Sequence, residues 1–415
     1  MSGLELDSAW EAVERGATLV EACEAAGVRG LARGSLLADL RVLLASEERL
    51  TRLLPELRAP HMRLVAARVL AGEEPGDREL RRAKLDVAAL RASEERLLAG
   101  ADATLRVAQL GSCSQRVAAE LRASLGNEEA LAFLQASWKP APLALRVNLA
   151  RTTREALRAR LLEEGVATEP GRWSEAALLL AAPGPLAPTR AFEEGLFEVQ
   201  DEASQLVAAW VDPVRSAPTV DACAGAGGKT LALCAALGTK GRVVALDVSK
   251  RRLEELKKRA ARAQAFNLLV QALPRPGEPL PAPLAELAGR AARVLVDAPC
   301  SGLGALRRKP DVARRLDAAL FARLPEQQLA IARDALRWLR PDGRLLYVTC
   351  TPLRAENEDI VARLCSEEKL VPLPAREWLP PAQLPLAHDE QAPAVRLLPH
   401  RHGTDAFTVH VLRRA

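Results

Sequence analysis

The sequence predicts an α/β protein in three parts: an all-helical N-terminal domain (residues 1–105), a small α/β connector (106–217) and a doubly wound parallel-sheet domain (218–415). Three observations carry this reading. Apolar residues recur at three- and four-residue spacing up to about Ala103, and the hydrophobic period changes at Thr219 to short strands alternating with helices. A glycine-rich turn then joins the first of those strands to the first of those helices.

In the helical part, Gly and Pro breaks at 27–34, 55–60 and 72–76 separate the amphipathic stretches. No residue set there points to chemistry, and an RNA-docking role is the expectation. The connector begins with helices, passes through a strand-like 143–148 and continues in a helix over 153–164. The sheet domain then offers five strands, at 219–223, 242–247, 268–272, 292–297 and 343–349, with helices over 231–237, 250–265 and 326–339. The Pro-rich runs 274–283 and 372–385 read as loops, and 395–412 reads as a closing hairpin.

At 415 residues and 49% hydrophobic content the chain exceeds one small core. It has no run of about 18 apolar residues free of charge. Residues 1–10 carry Glu5 and Asp7 where a secretory leader would carry Lys or Arg, so a cytoplasmic protein without membrane partners is expected. The seven cysteines form no C-x-x-C pair and the five histidines are not spaced with them as zinc ligands, which argues against a disulfide framework or a metal site. A monomer is expected.

The net charge of +5 is unevenly spread: residues 1–140 hold 19 Lys+Arg against 21 Asp+Glu, and the remainder is net +7. Two basic clusters stand out, Lys250-Arg251-Arg252 with Lys257-Lys258-Arg259, and Arg307-Arg308-Lys309 with Arg314-Arg315. Such patches suit a phosphate backbone. A solvated helix face explains the first equally well, whereas the second follows a candidate catalytic loop.

The turn Asp221-Ala222-Cys223-Ala224-Gly225-Ala226-Gly227-Gly228-Lys229-Thr230 sits where doubly wound sheets bring a ligand to backbone amides at a helix N-terminus. A dinucleotide fingerprint would need glycine where Thr230 stands, and a phosphate-cradling loop would need glycine where Cys223 stands. S-adenosylmethionine remains, since its amino-acid arm needs close backbone rather than a phosphate nest. Asp247, closing the second strand, is placed to accept hydrogen bonds from ribose hydroxyls. The loop alone would pass for a structural turn; the strand, loop, helix, strand, acid order argues for a binding site.

Cys300, in Asp297-Ala298-Pro299-Cys300-Ser301-Gly302, follows the fourth strand, and Cys350 follows the fifth. One strand-end cysteine is ordinarily buried and inert. Two on the cofactor rim suggest cytosine carbon-5 methylation, because carbon 5 attacks a sulfonium methyl only after a thiolate has added to carbon 6. Asp297 is placed to hydrogen-bond the ring-nitrogen edge, and a second group must help when the carbon-5 proton leaves.

Together with Pro310-Asp311, Tyr347-Val348-Thr349-Cys350-Thr351 and Glu356-Asn357-Glu358, these motifs resemble the Sun/Fmu (RsmB-type) family of rRNA cytosine-5 methyltransferases. The likeness extends to Leu145-Arg146-Val147-Asn148, Val199-Gln200-Asp201-Glu202-Ala203-Ser204-Gln205 and His402-Gly403-Thr404-Asp405-Ala406-Phe407, and covers residues 109–415. It implies a Rossmann-like methyltransferase domain, Cys350 as nucleophile and Cys300 as the group that releases product. It also implies cofactor contacts from Cys223, Ala224, Gly225, Ala226, Gly227, Gly228, Lys229 and Asp247, with Asp297 bordering cofactor and base, and Lys229 reaching the base. Ala226 stands where the family usually has proline, and Gln271 stands near the place of an aspartate on the adenine side. The resemblance implies RNA, specifically rRNA, as partner, and a target base that is unpaired or extruded. Arg307, Arg308 and Arg354 are the candidate RNA contacts, with plain surface solubility as the competing explanation. Two rivals remain at this point. A catalytically silent RNA-binding factor would have no need of both cysteines, and a small-molecule or protein methyltransferase on the same sheet has no use for paired thiols.

Overall fold

A computed structural model describes residues 3–181, 189–274 and 279–415. Compactness divides the chain into two units, one running to Pro140 and including Ala305–Phe321, the other comprising Ala141–Gly304 and Ala322–Ala415. Residues 275–278 of the Pro-rich run at 274–283 lie outside the described residues.

The first unit is helical: α1 (Gly3–Glu14), α2 (Leu19–Ala25), α3 (Gly30–Leu53), α4 (Pro60–Leu70), α5 (Asp77–Ala83), α6 (Val87–Ala99), α7 (Ala103–Leu110), α8 (Gln115–Leu125) and α9 (Asn127–Ser137). Trp10, Leu36, Leu40 and Leu43 share one core, and Leu50, Ala66, Val69 and Leu90 a second. Polar contacts tie α7 to the earlier helices. Arg52 of α3 donates to the carbonyls of Ala108 (3.2 Å) and Cys113 (2.9 Å), while Glu94 of α6 accepts from Arg49 (2.6 Å) and Gln109 (3.2 Å). Helices read from sequence as the start of a connector therefore group with those before them. Gly34, read as part of a break, lies inside α3, because the chain already turns before Gly30. The segment 305–321 belongs here through Arg41, which donates to the Arg307 carbonyl (2.7 Å), and Arg314, which pairs with Glu47 (3.4 Å) and lies over the Trp10 ring (5.6 Å).

The second unit opens with a four-stranded antiparallel sheet of β1 (Ala144–Val147), β2 (Thr168–Pro170), β3 (Ala177–Leu180) and β4 (Phe197–Val199) in the order β2-β3-β1-β4. Leu157 and Leu161 of α10 (Arg154–Glu163) pack on its Leu145, Val147 and Phe197. After α11 (Arg190–Glu193) and α12 (Glu202–Trp210), the chain forms a large sheet. Its parallel strands are β5 (Thr219–Asp221), β6 (Val243–Asp247), β7 (Leu268–Ala272), β8 (Ala291–Asp297) and β9 (Leu339–Thr349), and the shorter strands β10 (Leu370–Pro372) and β11 (Val395–Leu397) both pair antiparallel with β12 (Phe407–Arg414). The spatial order is β10-β12-β9-β8-β5-β6-β7, with β12 antiparallel to β9.

The crossovers are α13 (Gly228–Leu237), α14 (Lys250–Ala263), α15 (Ala282–Ala285), α16 (Ala318–Ala335) and α17 (Glu358–Glu368), with α18 (Pro399–His402) before β12. Side chains alternate across the strands. Val220, Val244, Val294 and Val296 face a core with Leu329 of α16 and Ile360 of α17. Val243, Leu295 and Val348 face the opposite core with Leu206 of α12 and Leu233 of α13. Burial on both faces is what turns such strands into near-continuous apolar runs.

Two of the boundaries that differ from the sequence reading have a clear physical cause. The helix expected from 326 begins at Ala318 and carries Pro325 inside it, a residue that reads as a breaker because it lacks the N–H and crowds the preceding turn. The strand expected from 343 begins at Leu339, since Pro341-Asp342-Gly343, which reads as a turn, is absorbed where the register with β8 shifts between Ala291 and Arg293. Among the described residues, no helix is long and apolar enough to cross a membrane.

Candidate active site

The strand order reverses at β5: the chain runs outward through β6 and β7 on one side and through β8 and β9 on the other. Such a switch point opens a crevice at the carboxyl ends of the strands. The glycine loop leaves β5 here. Gly227 caps α13 with φ +88°, and a Cβ built on it would lie 2.0 Å from the Leu256 side chain, so glycine is required twice over. The loop is fastened to β6 by Ala224 N–H to the Leu246 carbonyl (2.9 Å) and by Gly225 N–H to Asp247 Oδ2 (2.8 Å). The other Asp247 oxygen accepts from Ser249 N–H (2.7 Å). Each carboxylate oxygen has two acceptor sites, so Asp247 keeps capacity for ligand hydroxyls.

Below the loop, burial pushes the Asp221 carboxyl up to about 6; the nearby Asp297 charge adds to this, while the Thr230 hydroxyl, donating at 2.7 Å, and Lys229 oppose it. Burial also pushes the Cys223 thiol upward, helped by Asp221, Asp297 and Asp247. That side chain packs against the main core, so residue 223 offers a ligand its backbone rather than its sulfur. Lys229 is buried, with Nζ 2.6 Å from Asp297 Oδ2 and 4.7 Å from the centre of the Phe407 ring.

The two cysteines meet. Cys300 Sγ and Cys350 Sγ lie 3.2 Å apart in a sulfur hydrogen bond, both unoxidised. The contact with Cys350, burial, and the charges of Cys350 and Glu356 push the Cys300 thiol well above its ordinary value. Three supports hold this geometry. Gly304 N–H donates to the Cys350 carbonyl (2.9 Å), and a Cβ at residue 304 would meet the Ala406 carbonyl oxygen at 2.4 Å and the Cys350 carbonyl oxygen at 2.8 Å, so the two strand-end loops approach as closely as backbone permits. The buried Glu356 carboxylate accepts from Ser301 N–H (2.9 Å) and Gln328 Nε2 (2.7 Å), and Gln328 also donates to the Pro299 carbonyl (3.0 Å). On the other strand, Asn357 Nδ2 donates to the carbonyls of Thr351 (3.1 Å) and Leu353 (2.7 Å), and Tyr347 Oη donates to the Glu356 carbonyl (2.8 Å).

Sequence reasoning assigned no role to Glu356, Asn357, Tyr347 or Gly304, although all but Gly304 lie in the motifs that carried the resemblance; Gln328 had no signal at all. Of the remaining candidates, Gln271 is half-buried at the end of β7 with Nε2 3.4 Å from the Ala272 carbonyl. Arg307 and Arg308 lie in the segment that belongs to the helical unit, Arg307 donating to the Pro140 carbonyl (3.4 Å). Arg354 is exposed and pairs with Asp359 (3.0 Å), which raises its pKa. A cavity of about 570 Å³ bordered by Asn148, Cys234 and Phe266 lies at the opposite, amino-terminal ends of β6 and β7 and includes none of the candidate residues.

A parallel sheet closed by an antiparallel β12, with a glycine loop after its first strand and an acid ending its second, defines the class: Rossmann-like S-adenosylmethionine-dependent methyltransferases. Residues 208–413 match the sequence profile described as "16S rRNA methyltransferase RsmB/F", and residues 115–187 match the "Methyltr_RsmF/B-like, ferredoxin-like domain". The chain belongs to the RsmB/F methyltransferase family. It is 33% identical over 279 residues to the "Probable ribosomal RNA small subunit methyltransferase B" of Bacillus subtilis, an alignment covering 66% of this chain and 60% of that one. It is 37% identical over 251 residues to the "Ribosomal RNA small subunit methyltransferase B" of Xylella fastidiosa, covering 58% and 54%. The chain thus spans between half and three fifths of the length of these curated relatives. Among solved structures, the protein called PH0851 superposes with a TM-score of 0.78 at 21% identity over 100% of this chain and 99% of its own. NSun6 from Pyrococcus horikoshii, solved with SFG, gives 0.63 at 19% identity over 74% and 99%. At these identities the superpositions establish the fold.

Proposed function

We propose that this protein methylates carbon 5 of a cytosine in ribosomal RNA, with S-adenosylmethionine as methyl donor, Cys350 as nucleophile and Cys300 as its partner. The observation that carries the reading is the pair of thiols 3.2 Å apart at the carboxyl edge of the sheet, beside the glycine loop. Methyl transfer to a nitrogen or an oxygen needs no thiol; transfer to pyrimidine carbon 5 needs a transient sulfur adduct.

The site fits the cofactor. A Cβ built on Gly225 meets nothing within 4 Å, so the outer side of the loop is open, and the first-turn amides of α13 are of the kind that attract a carboxylate. Cys223, Ala224, Gly225, Ala226, Gly227, Gly228 and Lys229 would hold the amino-acid arm and Asp247 the ribose, with Gln271 on the adenine side. When bound, the cofactor supplies an electrophilic methyl group.

The chain's own residues do the rest. The Cys350 thiolate, accepting a hydrogen bond from the Cys300 thiol, adds to carbon 6 and makes carbon 5 nucleophilic. Asp297, held by Lys229, faces the ring-nitrogen edge, and the lysine ammonium offsets negative charge arising on the base. After methylation, carbon 5 loses its proton to a base in the site and the Cys350–carbon 6 bond breaks; the Cys300 S–H stabilises the departing thiolate. Arg307, Arg308 and Arg354 are assigned to the RNA backbone, and the base must be unpaired or extruded to reach the sulfur.

The test uses purified protein, methyl-labelled S-adenosylmethionine and small-subunit rRNA. Cys350→Ala abolishes label transfer, and Cys300→Ala accumulates a covalent RNA–protein adduct visible as a retarded band on a denaturing gel. Full transfer by Cys350→Ala, or label recovered in any nucleoside but 5-methylcytidine, would refute the reading.

A further inference from the structure

Beneath the glycine loop lies an arrangement that the proposed reaction does not use. Arg146, on β1 of the small sheet, is buried, and its Nη1 donates both to the Gly228 carbonyl and to Gln200 Oε1. Gln200 is braced in turn by its Nε2, which donates to Ser204 Oγ (2.8 Å). From α14, Arg259 Nη1 donates to the Ala226 carbonyl (2.7 Å). The buried Glu198 of β4 fixes Arg259 (2.9 Å) and its neighbour Arg262 (2.5 Å). Two guanidiniums from different elements thus grip two carbonyls of the same four-residue turn.

Two physical consequences follow. A peptide unit points its carbonyl and the following N–H in opposite directions, so pinning the carbonyls of Ala226 and Gly228 on the inner side turns the amides of Gly227 and Lys229 away from it. Gly227 N–H closes on the Ala224 carbonyl (2.9 Å), while the Lys229 amide belongs to the first helical turn and has no intrahelical acceptor. The second consequence is charge. Burial lowers the Arg146 pKa to about 10, with Glu198 opposing the shift, so the group stays cationic at neutral pH. Its hydrogen bonds run to neutral acceptors at the positive end of α13, and a buried cation placed there favours an anion on the loop's open side.

We propose that Arg146 and Arg259 are positioning residues for the carboxylate arm of the cofactor, gripping the glycine loop from behind so that its amides and their positive potential face that arm. The small antiparallel sheet, through Arg146, Glu198 and Gln200, then sets cofactor affinity. The inference rests on the S-adenosylmethionine reading above and adds to it which residues outside the loop tune the site.

The test compares two probes by calorimetry on the full chain: S-adenosylhomocysteine, which has the amino-acid arm, and 5′-methylthioadenosine, which keeps the adenosine and thioether but lacks the carboxylate. For Arg146→Lys and Arg259→Gln, the expected result is S-adenosylhomocysteine bound about tenfold or more weakly, near 1.4 kcal/mol, with methylthioadenosine affinity within about twofold of wild type. In turnover, the KM for S-adenosylmethionine rises while kcat at saturation holds. Equal weakening of both probes would reduce these arginines to general scaffolding and overturn the proposal, as would no weakening of either. Melting temperatures identify a variant that fails to fold, and the second arginine then carries the comparison. Wild-type protein that binds neither probe would sink the cofactor reading itself, a distinct outcome.

Discussion

A buried acid records its surroundings in its titration. Burial holds the Asp221 carboxyl at about 6, above an unfolded value near 3.8, so the folded state keeps a proton that the unfolded chain gives up. The sign follows: this stabilisation is complete below the unfolded pKa and disappears as pH rises through about 6. Asp221→Asn keeps an acceptor for the Thr230 hydroxyl and removes the titration. Between pH 4 and 7 the stability difference between the variant and wild type should therefore grow by roughly 2 kcal/mol in the variant's favour. Denaturant unfolding at each pH measures it, and taking the difference removes the opposite trend of His402 and His410, which burial lowers to about 4. Parallel curves would show that Asp221 ionises freely. At this scale much of the site was readable. Lys229 entered through the family resemblance, whereas Asp247, Asp297 and the two cysteines announced themselves through residue type at strand ends. Glu356, Gln328 and Arg146 did not, because their importance lies in what they hold, and a hydrogen bond between residues 55 positions apart, as from Ser301 to Glu356, leaves no periodic trace.

Among elements, the close approach of the loops after β8 and β9 is the feature on which the cysteine pair depends. Gly304 is where they touch, and the nearest atoms to a Cβ there are the carbonyl oxygens of Ala406 and Cys350 and the Cβ of Ala406, none of which side-chain rotation can move aside. Gly304→Ala must separate the loops, at a cost of about 1–3 kcal/mol, equivalent to a fall in Tm of a few degrees for a domain of this size. Because the Gly304 amide holds the Cys350 carbonyl, the same separation draws the sulfurs apart. Scanning calorimetry and single-turnover methyl transfer check both effects, and kcat should fall by more than the affinity for S-adenosylhomocysteine. A variant with wild-type Tm and rate would mean that the loops have slack. The strands themselves were legible from their apolar runs and the acids that close them. The misplaced boundaries fell where tertiary packing overrode local signals: Pro325 was accepted inside α16, and Pro341-Asp342-Gly343 was drawn into β9 by pairing with β8.

Over the whole molecule the sequence divides by charge, with residues 1–140 net −2 and the remainder net +7. The fold redistributes this. Segment 305–321, with five of the basic residues, belongs to the helical unit, an assignment invisible in a sequence where it follows the Cys300 loop. Within that segment Arg314 is engaged by Glu47 and Trp10, and Arg315 by Asp311. The pair Arg307 and Arg308, the candidate RNA contacts of this segment, tests an RNA-binding role. Polyanion binding by a basic segment releases condensed counterions, so log Kd depends linearly on log salt with a slope of about 0.7 per neutralised phosphate on single strands. If Arg307 and Arg308 each meet a phosphate, their joint replacement by alanine should reduce that slope by roughly 1.4, weakening RNA binding most at low salt and uniformly across sequences. The affinity for S-adenosylhomocysteine should not change. Filter binding of a small-subunit rRNA fragment from 50 to about 300 mM salt supplies the slope. If the double variant gives a line parallel to wild type, these arginines serve solubility, and the net positive charge of the rest of the chain must supply the contacts instead.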